Sequence, residues 1–260
     1  MIRLGVCTGL ENACMLAKIG FDYIETSLAS VAALGQADFQ RAQEGRARSG
    51  IACEAMNVML PGGLPVVGPA VDLEKVGGYL APAFDRAQAL GVGRVVFGSG
   101  ASRRVPVGFP QAEAWRQLAR FLALAGRLAG ARGIQVAIEP LRREECNILH
   151  FVSEAVGLAA LLGLPQVGVL GDTYHMHAGG EPLSALEDAG ALLWHVHMAE
   201  PYGRGFPAAG DGSQAAYQGL FQVLGRMGYQ GRVSVEGSSQ HFEEDAQASF
   251  ALLDRLRRMG

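Results

Sequence analysis

Cysteine is scarce: Cys7, Cys14, Cys53 and Cys146 are the only four in 260 residues, and no two form a C-x-x-C pair. Such spacing supplies neither a zinc knuckle nor a disulfide framework, and a reducing compartment is expected. A basic surplus is missing too. The chain has 22 Lys and Arg against 25 Asp and Glu, a net charge of −3, whereas a nucleic-acid binder usually carries a basic stripe. Long apolar runs are also absent, since the longest, 155–170, is broken by Gly163, Pro165 and Gln166 and reads as a helix followed by a strand, not a membrane span. The opening "MIRLGVCTGL" enters a strand-like pattern with no secretory leader signature. The expectation is a soluble, cytoplasmic protein that binds neither nucleic acid nor membrane.

What the chain does have is glycine, 36 residues, and short apolar runs at regular intervals. Eight of them read as strands: "IRLGVCT" (2–8), "FDYIETS" (21–27), "ACEAMNVM" (52–59), "RVVFGSG" (94–100), "IQVAIEP" (134–140), "VGVLGDT" (167–173), "LLWHVHMAE" (192–200) and "RVSVEGS" (232–238). Near-continuous apolar character is expected of parallel strands buried on both faces. Helical patterns lie between them. The clearest is 111–132, where Trp115, Leu118, Phe121, Leu122, Ala125 and Leu128 form one stripe. Gly133 and Gly163 follow helices where a left-handed cap is wanted. Strand then helix, eight times in this length, predicts an α/β fold, a single-domain (β/α)8 TIM barrel over 1–260. A doubly wound sheet would need a glycine-rich phosphate turn after the first strand, and "VCTGLENA" is not one.

Connections into strands are short, whereas 60–72, 98–110 and 201–213, which leave strands, are long and rich in Gly and Pro. In a barrel these loops share the face where enzyme sites are built.

The stretch "LWHVHMAE" carries two histidines two residues apart, which on a strand look to the same side. The neighbouring strands explain one of them. Strands five to eight each bring a metal-capable residue to the same rim: Glu139, Asp172, His197 and Glu236. Three carboxylates and one imidazole form a hard, oxygen-rich set. One divalent metal is expected, with Mn2+ favoured and Mg2+, Co2+ or Zn2+ also compatible. His195 then sits one pleat deeper, in support of His197. Glu139 and Glu236 approach from nearly opposite sides of the mouth. They form a candidate acid–base pair for moving a proton next to a carbonyl, with the metal stabilising the enediolate.

"VAIEPLRREECNILH", "GDTYHMH", "HVHMAE" and "VSVEG" together resemble the sugar isomerase/epimerase superfamily of xylose-isomerase-like barrels, over essentially the whole chain. Ketose 3-epimerases, hydroxypyruvate isomerases and inosose dehydratases belong to it. The resemblance implies that Glu139, Asp172, His197 and Glu236 bind the metal and that Glu139 and Glu236 are catalytic. It implies substrate contacts from His175, Glu145 and Asn147. It also implies a small sugar or sugar-phosphate substrate, and a homodimer or homotetramer as in many relatives. Ketose 3-epimerases carry a substrate arginine six residues after the metal histidine. Here that position is Gly203, and Arg204 follows it as the candidate.

Arg103 and Arg104, in the loop after strand four, are read as a grip for a phosphate or carboxylate. The expected activity is sugar epimerisation or isomerisation, with inosose-type dehydration as an alternative on the same site. Apurinic-site endonucleases share the architecture but use a three-metal cluster, and six histidines with net acidity argue against them.

Overall fold

A strand in a closed parallel barrel shows alternate side chains to the helices outside and to the interior. The computed structural model describes residues 1–259 and contains eight such strands. They are β1 (Arg3–Cys7), β2 (Tyr23–Ser27), β3 (Ala52–Asn57), β4 (Arg94–Phe97), β5 (Gln135–Ile138), β6 (Val167–Asp172), β7 (Leu193–Met198) and β8 (Arg232–Val235). They pair in sequence order, and β8 closes on β1 from Arg3↔Arg232 to Val6↔Val235. This is the (β/α)8 barrel that the strand spacing predicts.

Alternation explains how the apolar residues divide. Val95, Phe97, Val136, Ile138, Val167 and Val169 join the main core between sheet and helices. Val96, Ala137 and Leu170, on the other face of the same strands, form a separate small cluster. The remaining interior is unusually polar, with Tyr23, Glu25, His195 and Ser234 fully buried.

The helix Gln111–Gly130 turns Leu118, Phe121, Leu122 and Ala125 inward, and Phe121 packs on Phe97 with ring centroids 4.7 Å apart. It stops two residues before the predicted end at 132, and the chain reverses through Gly133 at φ +70°. Gly163 caps the helix Val152–Leu162 in the left-handed conformation, which a residue with a Cβ adopts reluctantly.

Four residues other than glycine adopt positive φ among the described residues: Val58, Ser99, Leu149 and Arg204. Each lies in a segment following the C-terminal end of a strand, namely β3, β4, β5 and β7. Each such conformation costs about 1–3 kcal/mol, so backbone strain gathers on the face where the long loops lie. No helix among the described residues is long and apolar enough to cross a membrane.

Candidate active site

The four strand-end residues converge. Glu139 Oε1 and Glu236 Oε2 each lie 3.4 Å from His197 Nδ1. One ligand atom from each of Glu139, Asp172, His197 and Glu236 falls within 4.8 Å of the others. Local structure sets these positions. The ladder runs one residue past β5 and β8, through Glu139 N to Phe97 O (3.1 Å) and Glu236 N to Met198 O (2.9 Å), so strand alternation sends both carboxylates inward. Asp172 ends β6 and caps the helix Thr173–Gly179: its Oδ1 accepts from Tyr174 N (2.7 Å) and His175 N (3.2 Å).

That cap leaves Asp172 Oδ2 buried without a partner, like Glu139 Oε1 and His197 Nδ1. Unpaired buried polar atoms are costly. Three of them facing one point fit a cation, since metal–ligand bonds of about 2.0–2.2 Å hold ligands roughly 3–4 Å apart. Electrostatics agrees. Burial and the neighbouring Glu236 charge raise Glu139, and the same two causes push Asp172 up to about 6. Burial also raises Glu236, but the His197 and Arg204 charges and the Asn57 hydrogen bond outweigh it and hold it at about 2. Burial works against a charge on His197, yet Glu25 and Glu236 win and keep its pKa well above the usual imidazole value.

Behind these four residues stands Glu25, which sequence reading passed over. Its Oε1 lies 3.0 Å from His197 Nε2, and its Oε2 lies 2.7 Å from His195 Nε2. Ser234 Oγ donates to the same Oε2 (2.6 Å), and Tyr23 OH lies 2.6 Å from Ser234 Oγ. Burial raises Glu25, but the two imidazoles outweigh it and keep the carboxyl well below its ordinary range. An ionised Glu25 accepts from both Nε2 positions. With Nε2 turned to Glu25, Nδ1 is the His197 nitrogen that faces Glu139 and Glu236, the orientation that a carboxylate gives to a metal-binding histidine. His195 meets the other oxygen of the same carboxylate, so its link to His197 runs through Glu25. Asn57 was missed as well: its Nδ2 donates to Glu236 Oε1 at 2.7 Å. The available signal was polarity at inward positions of β2 and β3.

Toward solvent lie three of the residues expected to touch substrate. His175 is buried, with both ring nitrogens unpartnered. Its Nε2 lies 3.7 Å from Asp172 Oδ2 and 4.0 Å from Glu145 Oε2, and burial lowers its pKa. Arg204 donates from Nη1 to Glu145 (3.0 Å) and from Nη2 to Glu236 (2.8 Å). Arg142 donates to Glu145 (2.8 Å) and to Tyr174 OH (2.6 Å), and both guanidiniums lie about 5 Å from the centre of the Tyr174 ring.

Two other expectations require correction. Arg103 is no anion grip: it is fully buried, donating to Phe97 O (3.3 Å) and Glu139 O (2.7 Å). The one-turn helix Gly100–Arg103 turns its side chain inward, where it ties the ends of β4 and β5. Asn147 is occupied at both ends of its amide by the backbone of Val105, at 2.8 and 2.9 Å, so it fixes a loop. Arg104 is at the rim as expected, exposed, but its Nη2 donates to Glu145 O (2.8 Å).

Residues 15–258 match the family described as xylose isomerase-like TIM barrel. The ketose 3-epimerase of Arthrobacter globiformis is 35% identical over 126 residues, 47% of this chain and 42% of that protein. The 3-dehydro-D-guloside 4-epimerase of Escherichia coli K12 is 33% identical over 128 residues, 49% and 47% of the respective chains. The chain thus matches a little under half the length of these relatives. The structure of D-allulose 3-epimerase from Methylomonas sp. is similar with a TM-score of 0.86 over 98% of both chains at 18% identity, a likeness of fold. With the family match running across almost its whole length, the chain belongs to the xylose isomerase-like TIM barrel family.

Proposed function

We propose that this protein is a divalent-metal-dependent sugar isomerase or epimerase that moves a proton on the carbon next to a carbonyl of a keto-sugar or related polyhydroxy compound. One observation carries the proposal: Glu139 Oε1, Asp172 Oδ2 and His197 Nδ1 are buried, unpartnered and grouped with Glu236. The sugar assignment draws on two relatives named as sugar epimerases. The mostly carboxylate set favours Mn2+, with Mg2+, Co2+ and Zn2+ also compatible. When bound, the ion supplies the electrophile that stabilises negative charge developing on the carbonyl oxygen.

The remaining work falls to this chain's residues. Glu236, ionised and held by Asn57 and Arg204, is the base that takes the proton from the carbon facing it. Glu139 comes from β5, on another side of the mouth, and returns a proton to the opposite face, which gives epimerisation. Return of the proton to the neighbouring carbon, with the hydroxyl proton passing from one oxygen to the other, gives aldose–ketose isomerisation. His175 offers two unpartnered ring nitrogens to a substrate oxygen, and Glu145 and Arg204 orient hydroxyls further out.

The test is solvent exchange. Mn2+-loaded protein is incubated in D2O with ketoses, keto-sugar phosphates and inososes, and deuterium is followed by NMR. Incorporation beside the carbonyl is expected, together with about one divalent ion per chain by elemental analysis. No incorporation from any compound, in protein shown to hold its metal, overturns the proposal.

A further inference from the structure

Three guanidiniums meet on one residue at the mouth of the barrel. Arg142 Nε and Arg204 Nη1 donate to the same oxygen, Glu145 Oε1, at 2.8 and 3.0 Å, and Arg104 Nη2 donates to the Glu145 backbone carbonyl at 2.8 Å. All are partly open to solvent: the side chains of Arg142, Arg204 and Glu145 are 29%, 27% and 30% exposed. Glu139, Asp172 and His197 lie buried beneath them.

Carboxylates answer these cations unevenly. Arg204 is paired with Glu236 and Glu145, and Arg142 with Glu145. Arg104 reaches only the Glu145 backbone carbonyl. Each guanidinium has five N–H donors in a planar fork. Arg142 commits Nε and Nη1 to protein, Arg204 commits Nη1 and Nη2, and Arg104 commits Nη2. Donors remain for a ligand. The Tyr174 ring beside Arg142 and Arg204 holds both in place, so little side-chain entropy is lost on binding.

We propose that Arg104, Arg142 and Arg204 form an anion subsite at the outer end of the substrate site, so that the compound handled carries a carboxylate or phosphate at the end remote from the reacting carbonyl. This deepens the sugar reading above and rests on it for the position of the carbonyl end. A planar carboxylate or a phosphate accepts paired hydrogen bonds from guanidinium. A neutral hydroxymethyl end offers a guanidinium no charged partner.

The test uses three probes sharing one ketose skeleton: D-fructose, D-fructuronate (a carboxylate at the far end) and D-fructose 6-phosphate. Each is titrated calorimetrically into the Mn2+-loaded protein at low salt, and deuterium incorporation is followed in parallel. At least one charged probe is expected to bind ten-fold or more tighter than D-fructose. Which one wins identifies carboxylate or phosphate as the anion. That preference falls below about three-fold in Arg142→Gln, weakens in Arg104→Gln, and shrinks as salt screens it. Equal affinity for all three probes, no binding of any, or a preference unchanged in both variants overturns the subsite. Deuterium exchange with D-fructose and no charge preference leaves the sugar chemistry standing without the subsite. An arginine-dependent preference without exchange from any probe leaves the subsite standing without the chemistry.

Discussion

Glu25 Oε1 lies 3.0 Å from His197 Nε2, while Nδ1 on the other side of that ring faces Glu139 and Glu236 at 3.4 Å each. One buried carboxylate therefore decides which imidazole nitrogen is free to bind a metal. In Glu25→Gln the amide has one accepting oxygen for two imidazole donors, and its NH2 group opposes one of them. Metal affinity is expected to fall about 10–100-fold, read by chelator competition. Glu25→Ala strands both imidazoles and Ser234 and costs about 3–5 kcal/mol in chemical denaturation, as for one half of a buried ion pair. Wild-type metal affinity in Glu25→Gln would show that His197 needs no such partner.

Metal affinity should rise with pH. Protons compete for the ligand atoms: burial and Glu236 push Asp172 up to about 6, the same causes raise Glu139, and Glu25 and Glu236 keep His197 well above the usual imidazole value. Below each raised pKa the proton must leave before the metal binds, so affinity drops progressively as pH falls and steepens below about 6. Calorimetry in two buffers of different ionisation enthalpy should show net proton release at neutral pH. Affinity independent of pH between about 5 and 8 would contradict this.

Gly98 follows β4, and a Cβ there would overlap Glu139 Oε2. In Gly98→Ala the clash meets the flexible end of a side chain, so the fold survives while the carboxylate swings away. Turnover should drop about 100-fold, the scale expected of a 1 Å misplacement at a reacting centre. Thermal denaturation should change little. A variant as active as wild type would mean that Glu139 works from another orientation.

Glu236→Gln keeps an oxygen for Asn57 or Arg204 but removes the base. Deuterium wash-in should fall about 10²–10⁴-fold, the usual contribution of general base catalysis, while metal is retained at reduced affinity. Wash-in at the wild-type rate would assign proton removal elsewhere, with Glu139→Gln the variant to compare.

Much of the site was legible because strand periodicity is local. Glu139, Asp172, His197 and Glu236 each sit at a strand end, and a period of two applied to an apolar run names the inward residue. Asp172 even carries its own cap signal in "GDTYH". Arg103 was misread because the loop after β4 winds into a single helical turn, which reverses the outward direction expected of a loop arginine. Its neighbour Arg104 stays outside, and nothing in the adjacent pair "RR" distinguishes the two.

By itself the sequence determined eight strands, their helices, the barrel and the four strand-end residues that share its mouth, since all follow from hydrophobic periodicity and spacing within short windows. Only the tertiary structure decided the partners of those four residues. Glu25 meets His197 across 172 residues, and Asn57 meets Glu236 across 179. β2 and β3 reach β7 and β8 only when β8 closes on β1. The mouth was decided the same way: Arg104, Arg142 and Arg204 come from three separate loops and converge on Glu145. Local pattern tells which way a side chain points, and barrel closure tells what it meets there.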